Sequence, residues 1–250
     1  MRILFLGDVV GSPGMKLVQR AIPFLRKHER LDVVIANVEN AAGGSGLTSK
    51  LFHRLRTAQV DLMTMGDHIY RKAEIIPTLN AQTCICKPAN YPADAPGRDY
   101  ALCTRSEPPV AVISLQGRTY MRPVDCPFQA VDRVLDSIQN KAGVILVDMH
   151  AEATADKYLM AHHLNGRVAA VIGTHTHVQT ADEQILDGGT AFLCDAGMTG
   201  PHNGVLGRKI ECVLPTTVTF VPRTWDLASG DVRMNGAILE VEDGRALSIE

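Results

Sequence analysis

Aromatic residues are scarce in this chain, at 5% of 250 residues, and no basic stripe runs along it. A surface that binds long nucleic acid needs a positive face, and one that reads single strands adds stacking rings. The formal charge of −2 carries no such excess. These shortages argue against a binder of long nucleic acid and leave a single nucleotide or a short RNA end open as a partner. No apolar run approaches the roughly 18 residues of a membrane span. The opening stretch MRILFLGDVVG reaches Gly7 and Asp8 before a signal-peptide core has formed. A soluble, cytoplasmic protein with no membrane partner is expected. Six cysteines, at 84, 86, 103, 126, 194 and 212, do not form a disulfide framework in so long a chain without a secretory signal. Cys84 and Cys86 lack the C-x2-C spacing of a metal knuckle, and no second pair answers them, so ordinary buried thiols are expected.

Repeats, low-complexity tracts and linkers are also missing, and a single domain over 1–250 is the simplest organisation. Apolar residues make up 46% of the chain, enough for a sizeable core. Short β-branched runs alternate with longer amphipathic stretches. Strands are expected over 2–7, 32–40, 61–66, 109–115, 142–149, 167–173 and 190–195. Between the first of them lie helices over 12–28, with Ser12 as N-cap and Pro13 at its first position, and over 48–58, capped by Thr48. This β-α-β rhythm implies parallel strands joined by right-handed crossovers. The tail alternates instead, over 217–221 and 236–250, and Asp243-Gly244 sits where a hairpin turn belongs. The fold class expected is α/β, with a mixed sheet and antiparallel C-terminal strands.

Ligands of open α/β sheets bind beyond the C-terminal ends of the strands. Here those ends read Gly7-Asp8, Asn37-Val38-Glu39-Asn40, Gly66-Asp67-His68, Asp148-Met149-His150 and Gly173-Thr174-His175-Thr176-His177. Each carries a carboxylate, an imidazole or both, the groups that bind hard or borderline divalent metals. His175 and His177, one residue apart, would point to the same side of an extended backbone and reach one cluster. Each piece alone has an ordinary alternative: a strand-end Asp caps a turn, and Gly-Asp-His is plain loop. Together Asp8, Glu39, Asp67, His150, His175 and His177, with Asn40 and His68 beside them, are too many for one tetrahedral ion. They suit two ions that share a bridging carboxylate. His28, His53, His162 and His163 lie in helix-like stretches and are expected to be surface or core residues. His202, in a Gly-rich loop, either lines the pocket mouth or sits in a mobile turn. A dinucleotide fold is disfavoured, because Gly7, Gly11 and Gly14 follow G-x3-G-x2-G rather than G-x-G-x2-G.

Over nearly its whole length the sequence resembles the calcineurin-like metallophosphoesterases, and more closely a bacterial branch of 2′,3′-cyclic-nucleotide 2′-phosphodiesterases. The resemblance is carried by FLGDVVGSPG, VIANVENAAGG, MGDHIY, KPANYP, HAEATADK and GTHTHVQTAD. It implies an αββα sandwich with two metal ions at its edge, iron foremost, manganese or zinc in other members. It implies that Asp8, Asn40 and His177 hold the first ion, Asp67, His150 and His175 the second, that Glu39 bridges them and that His68 donates the proton. A small nucleotide or phosphodiester would then be the substrate, cleaved by a hydroxide held between the ions, in a protein that self-associates. Glu152, Asp182 and Asp195 are the nearest candidates to orient the imidazoles, or else solvated charges. The rival reading is a non-catalytic, metal-stabilised RNA-binding or signalling module.

Three departures from the wider superfamily stand out. Val10 occupies the usual His position of its D-x-H motif, and NVEN replaces G-D-x-x-D, both as in the narrower branch. The third is local, with Asp67 where Gly-Asn-His is usual. Asp8, Glu39 and Asp67 bring −3 against +4 from two divalent ions, where a neutral Asn would leave −2. The extra charge weakens the pull on the attacking water and raises its pKa. Asp67→Asn is therefore expected to keep both metals and to shift the pH–activity profile to lower pH; loss of metal from that variant would refute the reasoning.

Overall fold

A computed structural model describes residues 1–250. Its strands are β1 (Arg2–Leu6), β2 (Asp8–Val9), β3 (Val33–Asn37), β4 (Leu62–Thr64), β5 (Ile85–Cys86), β6 (Tyr100–Cys103), β7 (Val110–Gln116), β8 (Val144–His150), β9 (Ala170–Thr174), β10 (Gln184–Ile185), β11 (Ala191–Leu193), β12 (Met198–Pro201), β13 (Val232–Arg233), β14 (Gly236–Glu242) and β15 (Arg245–Ile249). The helices are α1 (Gly11–His28), α2 (Ser49–Thr57), α3 (Ile76–Ala81), α4 (Pro127–Ile138), α5 (Thr154–Leu164) and α6 (Ile210–Thr219).

The strands form two six-stranded sheets, ordered β15-β14-β1-β3-β4-β5 and β10-β11-β9-β8-β7-β6, and a small third one, β13-β12-β2. In the first, β1, β3, β4 and β5 run parallel, with β14 and β15 antiparallel at one edge. In the second, β11, β9, β8 and β7 run parallel between antiparallel β10 and β6. The period-2 rule explains the layering. Ile3, Phe5, Val33 and Ile35 face Val110, Val112, Val144 and Leu146 in one apolar layer between the sheets. Leu4, Leu6, Val34 and Ala36 face the other way, onto Met15, Val18 and Ile22 of α1 and Phe52 and Leu55 of α2. Ala111, Ile113, Val147 and Met149 pack likewise on α4 and α5. The result is the expected helix–sheet–sheet–helix sandwich. No helix is long and apolar enough to cross a membrane.

The expected elements shift where local chemistry wins. Helix α1 starts at Gly11, not Ser12; Val10 precedes it with no side-chain cap, and Pro13 is its third residue. Gly11, at φ +59°, turns the chain straight from β2 into the helix, and its N–H donates to Asn40 O. Thr48 caps α2 as expected, accepting from Leu51 N. The alternating 217–221 stretch is no strand. It belongs to α6 and its exit, where Thr216, Thr217 and Thr219 donate to carbonyls four residues back and Phe220, at φ +58°, ends the helix. The hairpin does form: Asp243 (φ +49°) and Gly244 (φ +76°) join β14 to β15. All six cysteines are free; Cys86, Cys103 and Cys194 are buried, whereas Cys84, Cys126 and Cys212 are only partly so. His28, His53, His162 and His163 fall in α1, α2 and α5 as expected.

Candidate metal centre

The parallel strands of both sheets end at one rim, and the polar residues that follow them meet there. Glu39, Asp67, His150 and His175 offer atoms that all lie within 4.8 Å of one another, a group that could hold a metal ion. Beside it, Asn40 Nδ2 stands 3.1 Å from Asp8 Oδ1 and 3.2 Å from His177 Nε2. Glu39 touches both groups, with Oε1 3.2 Å from His150 Nε2 and 3.3 Å from Asn40 Nδ2. Its Oε2 accepts from His68 N at 2.9 Å. All eight candidates, Asp8, Glu39, Asn40, Asp67, His68, His150, His175 and His177, are linked in this one network. Gly66 makes the crowding possible: a Cβ there would collide with the His150 ring and stand 2.6 Å from Glu39 Oε2.

Each imidazole has one nitrogen anchored and one pointing inward. His150 Nδ1 lies 2.8 Å from Thr174 Oγ1, which itself donates to Asp148 at 2.5 Å. The hydroxyl hydrogen is thus spent on Asp148, so Nδ1 carries a proton toward Thr174 and Nε2 is the atom turned to Glu39 and Asp67. His177 Nδ1 donates to Leu206 O at 3.1 Å, leaving Nε2 to face Asp8 and Asn40. His175 Nε2 meets Glu152 at 3.2 Å, leaving Nδ1 toward His150 and Asp67. Anchoring of the outer nitrogen is what metal-ligating histidines show. Of the three orienting candidates only Glu152 touches an imidazole. Asp182 accepts from Tyr158 and Cys194. The sequence reading missed Asp148, which accepts from Thr64 and Asn37 as well as Thr174. Its place two residues before His150, one alternation along the same face of β8, was the available signal.

His175 and His177 do not extend from a strand: their φ values are +98° and +64°, and they serve different groups. Such left-handed backbone is disfavoured for non-glycine residues and must be held. Asp195 holds it, accepting from Thr176 N at 3.2 Å and Thr176 Oγ1 at 2.8 Å, while buried Lys157 Nζ donates to the same carboxylate at 2.7 Å. His175 N donates to Asp8. His202 sits aside, in an adjoining cavity that His177 also lines.

No Lys or Arg pairs with Asp8, Glu39 or Asp67; their ion-pair partners are imidazoles only. Burial alone would raise the Asp8 carboxyl, but the charge and hydrogen bond of His177 and the charge of His150 hold it well below the usual range. Asp67 is lowered likewise, burial being outweighed by His150 together with the charges of His68 and His175. Burial opposes the charge on His150, yet Glu39 and Asp67 raise it well above the ordinary value; against burial, Asp8 also raises His177. His175 falls, through burial and its neighbour His150. Beneath them burial pushes Asp148 up to about 6. The carboxylates thus demand positive charge that this chain meets only with imidazole protons. Asn40 has two amide hydrogens for three acceptors, Asp8, Glu39 and His177. A divalent ion fits both demands, supplying charge while the imidazoles bind it neutral.

A model of a family described as YmdB-like protein matches residues 4–250. The chain is 40% identical over 252 residues to a 2′,3′-cyclic-nucleotide 2′-phosphodiesterase of Bacillus subtilis (strain 168), covering 100% of this chain and 96% of that one. A crystal structure of a hypothetical protein from Thermus thermophilus superposes with a TM-score of 0.94 at 39% identity, covering 100% of this chain and 97% of that one. A crystal structure described as a novel phosphatase from Mycoplasma pneumoniae does so with a TM-score of 0.92 at 26% identity, over 100% of this chain and 92% of that one.

Lys157→Met would leave Asp195 buried without its cation. The expected cost is about 3–5 kcal/mol in denaturant unfolding, with weaker metal binding by calorimetry as Thr176 loosens. Unchanged stability and unchanged metal affinity would contradict the holding role.

Proposed function

The chain belongs to the YmdB-like protein family of calcineurin-like phosphoesterases, and on that premise we propose that it is a dinuclear-metal phosphodiesterase acting on small phosphodiesters, foremost converting 2′,3′-cyclic nucleotides to 3′-nucleotides. The observation that carries this reading is the convergence of His150, His175 and His177: each is anchored through its outer nitrogen while the inner one turns toward buried carboxylates. Asp8, Asn40 and His177 would hold one ion, Asp67, His150 and His175 the other, and Glu39, in contact with both groups, would bridge them. The donors are all oxygen and imidazole nitrogen, which suits iron, and also manganese or zinc. Two such ions, when bound, acidify the attacking water toward neutral pH and offset charge on the phosphoryl oxygens.

The chain's own groups do the rest. Water adds to phosphorus, the bond from phosphorus to the ribose 2′-oxygen breaks, and the 3′-phosphomonoester remains. The departing 2′-oxygen takes its proton from His68, whose ring borders the same cavity of about 470 Å³ as Glu39, Asn40, His175 and His177. Asn40 Oδ1, 2.7 Å from His68 Nδ1, fixes that ring and leaves Nε2 as the transferring atom.

His68→Ala is expected to lower turnover by about 10²–10⁴-fold with metal content unchanged. Stripping the metal from the parent protein with a chelator should abolish turnover, and adding the ion back should restore it. A His68→Ala variant at full activity would remove that residue from the mechanism. A folded, metal-replete protein that turns over no phosphodiester would leave the metal a structural part.

A further inference from the structure

The cavity has two unlike parts. Besides the carboxylate and imidazole residues, its lining includes an apolar wall of Val205, Leu206, Val213 and Trp225. Trp225 is the single tryptophan of the chain, and 48% of its surface is exposed. Its indole pairs with no other ring of the protein. A large aromatic face left open beside a phosphate-handling centre is costly to hydrate unless a ligand covers it.

This wall is not a loose end. Arg208, a half-buried cation, donates to Trp225 O at 3.0 Å and Gly43 O at 3.1 Å, and also to Gly44 O. Lys209 N donates to Asp226 O at 3.0 Å, and Ala228 N to Gly207 O at 2.9 Å, lacing 207–209 to 226–228, the residues that directly follow the tryptophan. Leu206, in the same wall, gives its carbonyl to His177 Nδ1 at 3.1 Å. The apolar wall is therefore fixed to the metal-binding rim directly at His177 and, through Arg208, to the loop that follows Asn40. With Arg208 committed to three carbonyls, the wall offers contact area rather than a phosphate-binding charge.

We propose that Trp225 is the nucleobase platform: the base of the substrate stacks on the indole, flanked by Val205, Leu206 and Val213, while its phosphate lies at the Asp8–His177 rim. This rests on the nucleotide reading of the same cavity and gives the side of the substrate remote from phosphorus its own binding residue. Stacking uses the π-face common to every base, so the platform accepts all four bases rather than reading one.

The test uses metal-loaded full-length protein and two substrates, 2′,3′-cyclic AMP and ribose 2,3-cyclic phosphate, which lacks the base. Stacking of one base contributes about 1–3 kcal/mol. Trp225→Ala should therefore lower the ratio of kcat/KM for cyclic AMP over the base-free ester by about 5- to 150-fold, mainly through KM, and Trp225→Phe should recover most of it. Since the indole is the only one present, its fluorescence reports directly. In the parent protein 3′-AMP should quench it saturably and ribose 3-phosphate should not. An unchanged ratio in Trp225→Ala, or quenching by neither or both phosphates alike, would overturn the platform. Saturable quenching by 3′-AMP alone, with no turnover of either ester, would uphold the platform and defeat the phosphodiesterase reading instead.

Discussion

Negative charge buried without a basic side chain is the constraint around which this molecule is arranged. Asp8 and Glu39 are sealed from solvent, Asp67 is partly buried, and none of the three pairs with a lysine or arginine. Carboxylates in such surroundings are tolerated only when a cation sits among them. The chain supplies imidazoles, whose inward lone pairs can accept an ion, and it brings them in from the ends of strands in both sheets. The sandwich is what makes the meeting possible: each sheet delivers part of the set, and neither could complete it alone.

Much of the remaining polar structure at that rim serves to keep the set in place. Asn37, Thr64 and Thr174 converge on Asp148 and so orient His150 from below. Lys157, in α5, reaches Asp195 after β11 and through it Thr176, which fixes two histidines on backbone that would otherwise relax. Both devices place a buried charge behind a ligand rather than in it. Pre-organisation of this kind is the general requirement for a centre that must hold ions at set positions while a substrate comes and goes. The apolar wall at Trp225 belongs to the same design, because Leu206 ties it to His177.

The sequence exposed the fold through its periodicities. Strands buried on both faces read as unbroken apolar runs, and the residues just past them stood out because a polar group at a strand end has no packing role to explain it. Asp8, Glu39, Asp67, His150, His175 and His177 were legible as candidates on that ground. What stayed hidden depended on partners far along the chain. Lys157 and Asp195 are 38 residues apart and each looks like an ordinary charge until the fold joins them. The divergence of His175 and His177 follows from left-handed backbone that spacing cannot foretell. The 217–221 alternation misled because threonine suits a strand, yet its hydroxyls can bond back along a helix just as well. Antiparallel β6 and β10, short and at sheet edges, left too little pattern to read.

The central claim is that two cations share Glu39 at the rim. A crystal structure of the metal-loaded protein, with anomalous scattering recorded at the metal edge, tests it directly. The account predicts two peaks about 3.5–4 Å apart, one beside Asp8, Asn40 and His177, the other beside Asp67, His150 and His175, with Glu39 contacting both. A single peak, or peaks distant from Glu39, would contradict it.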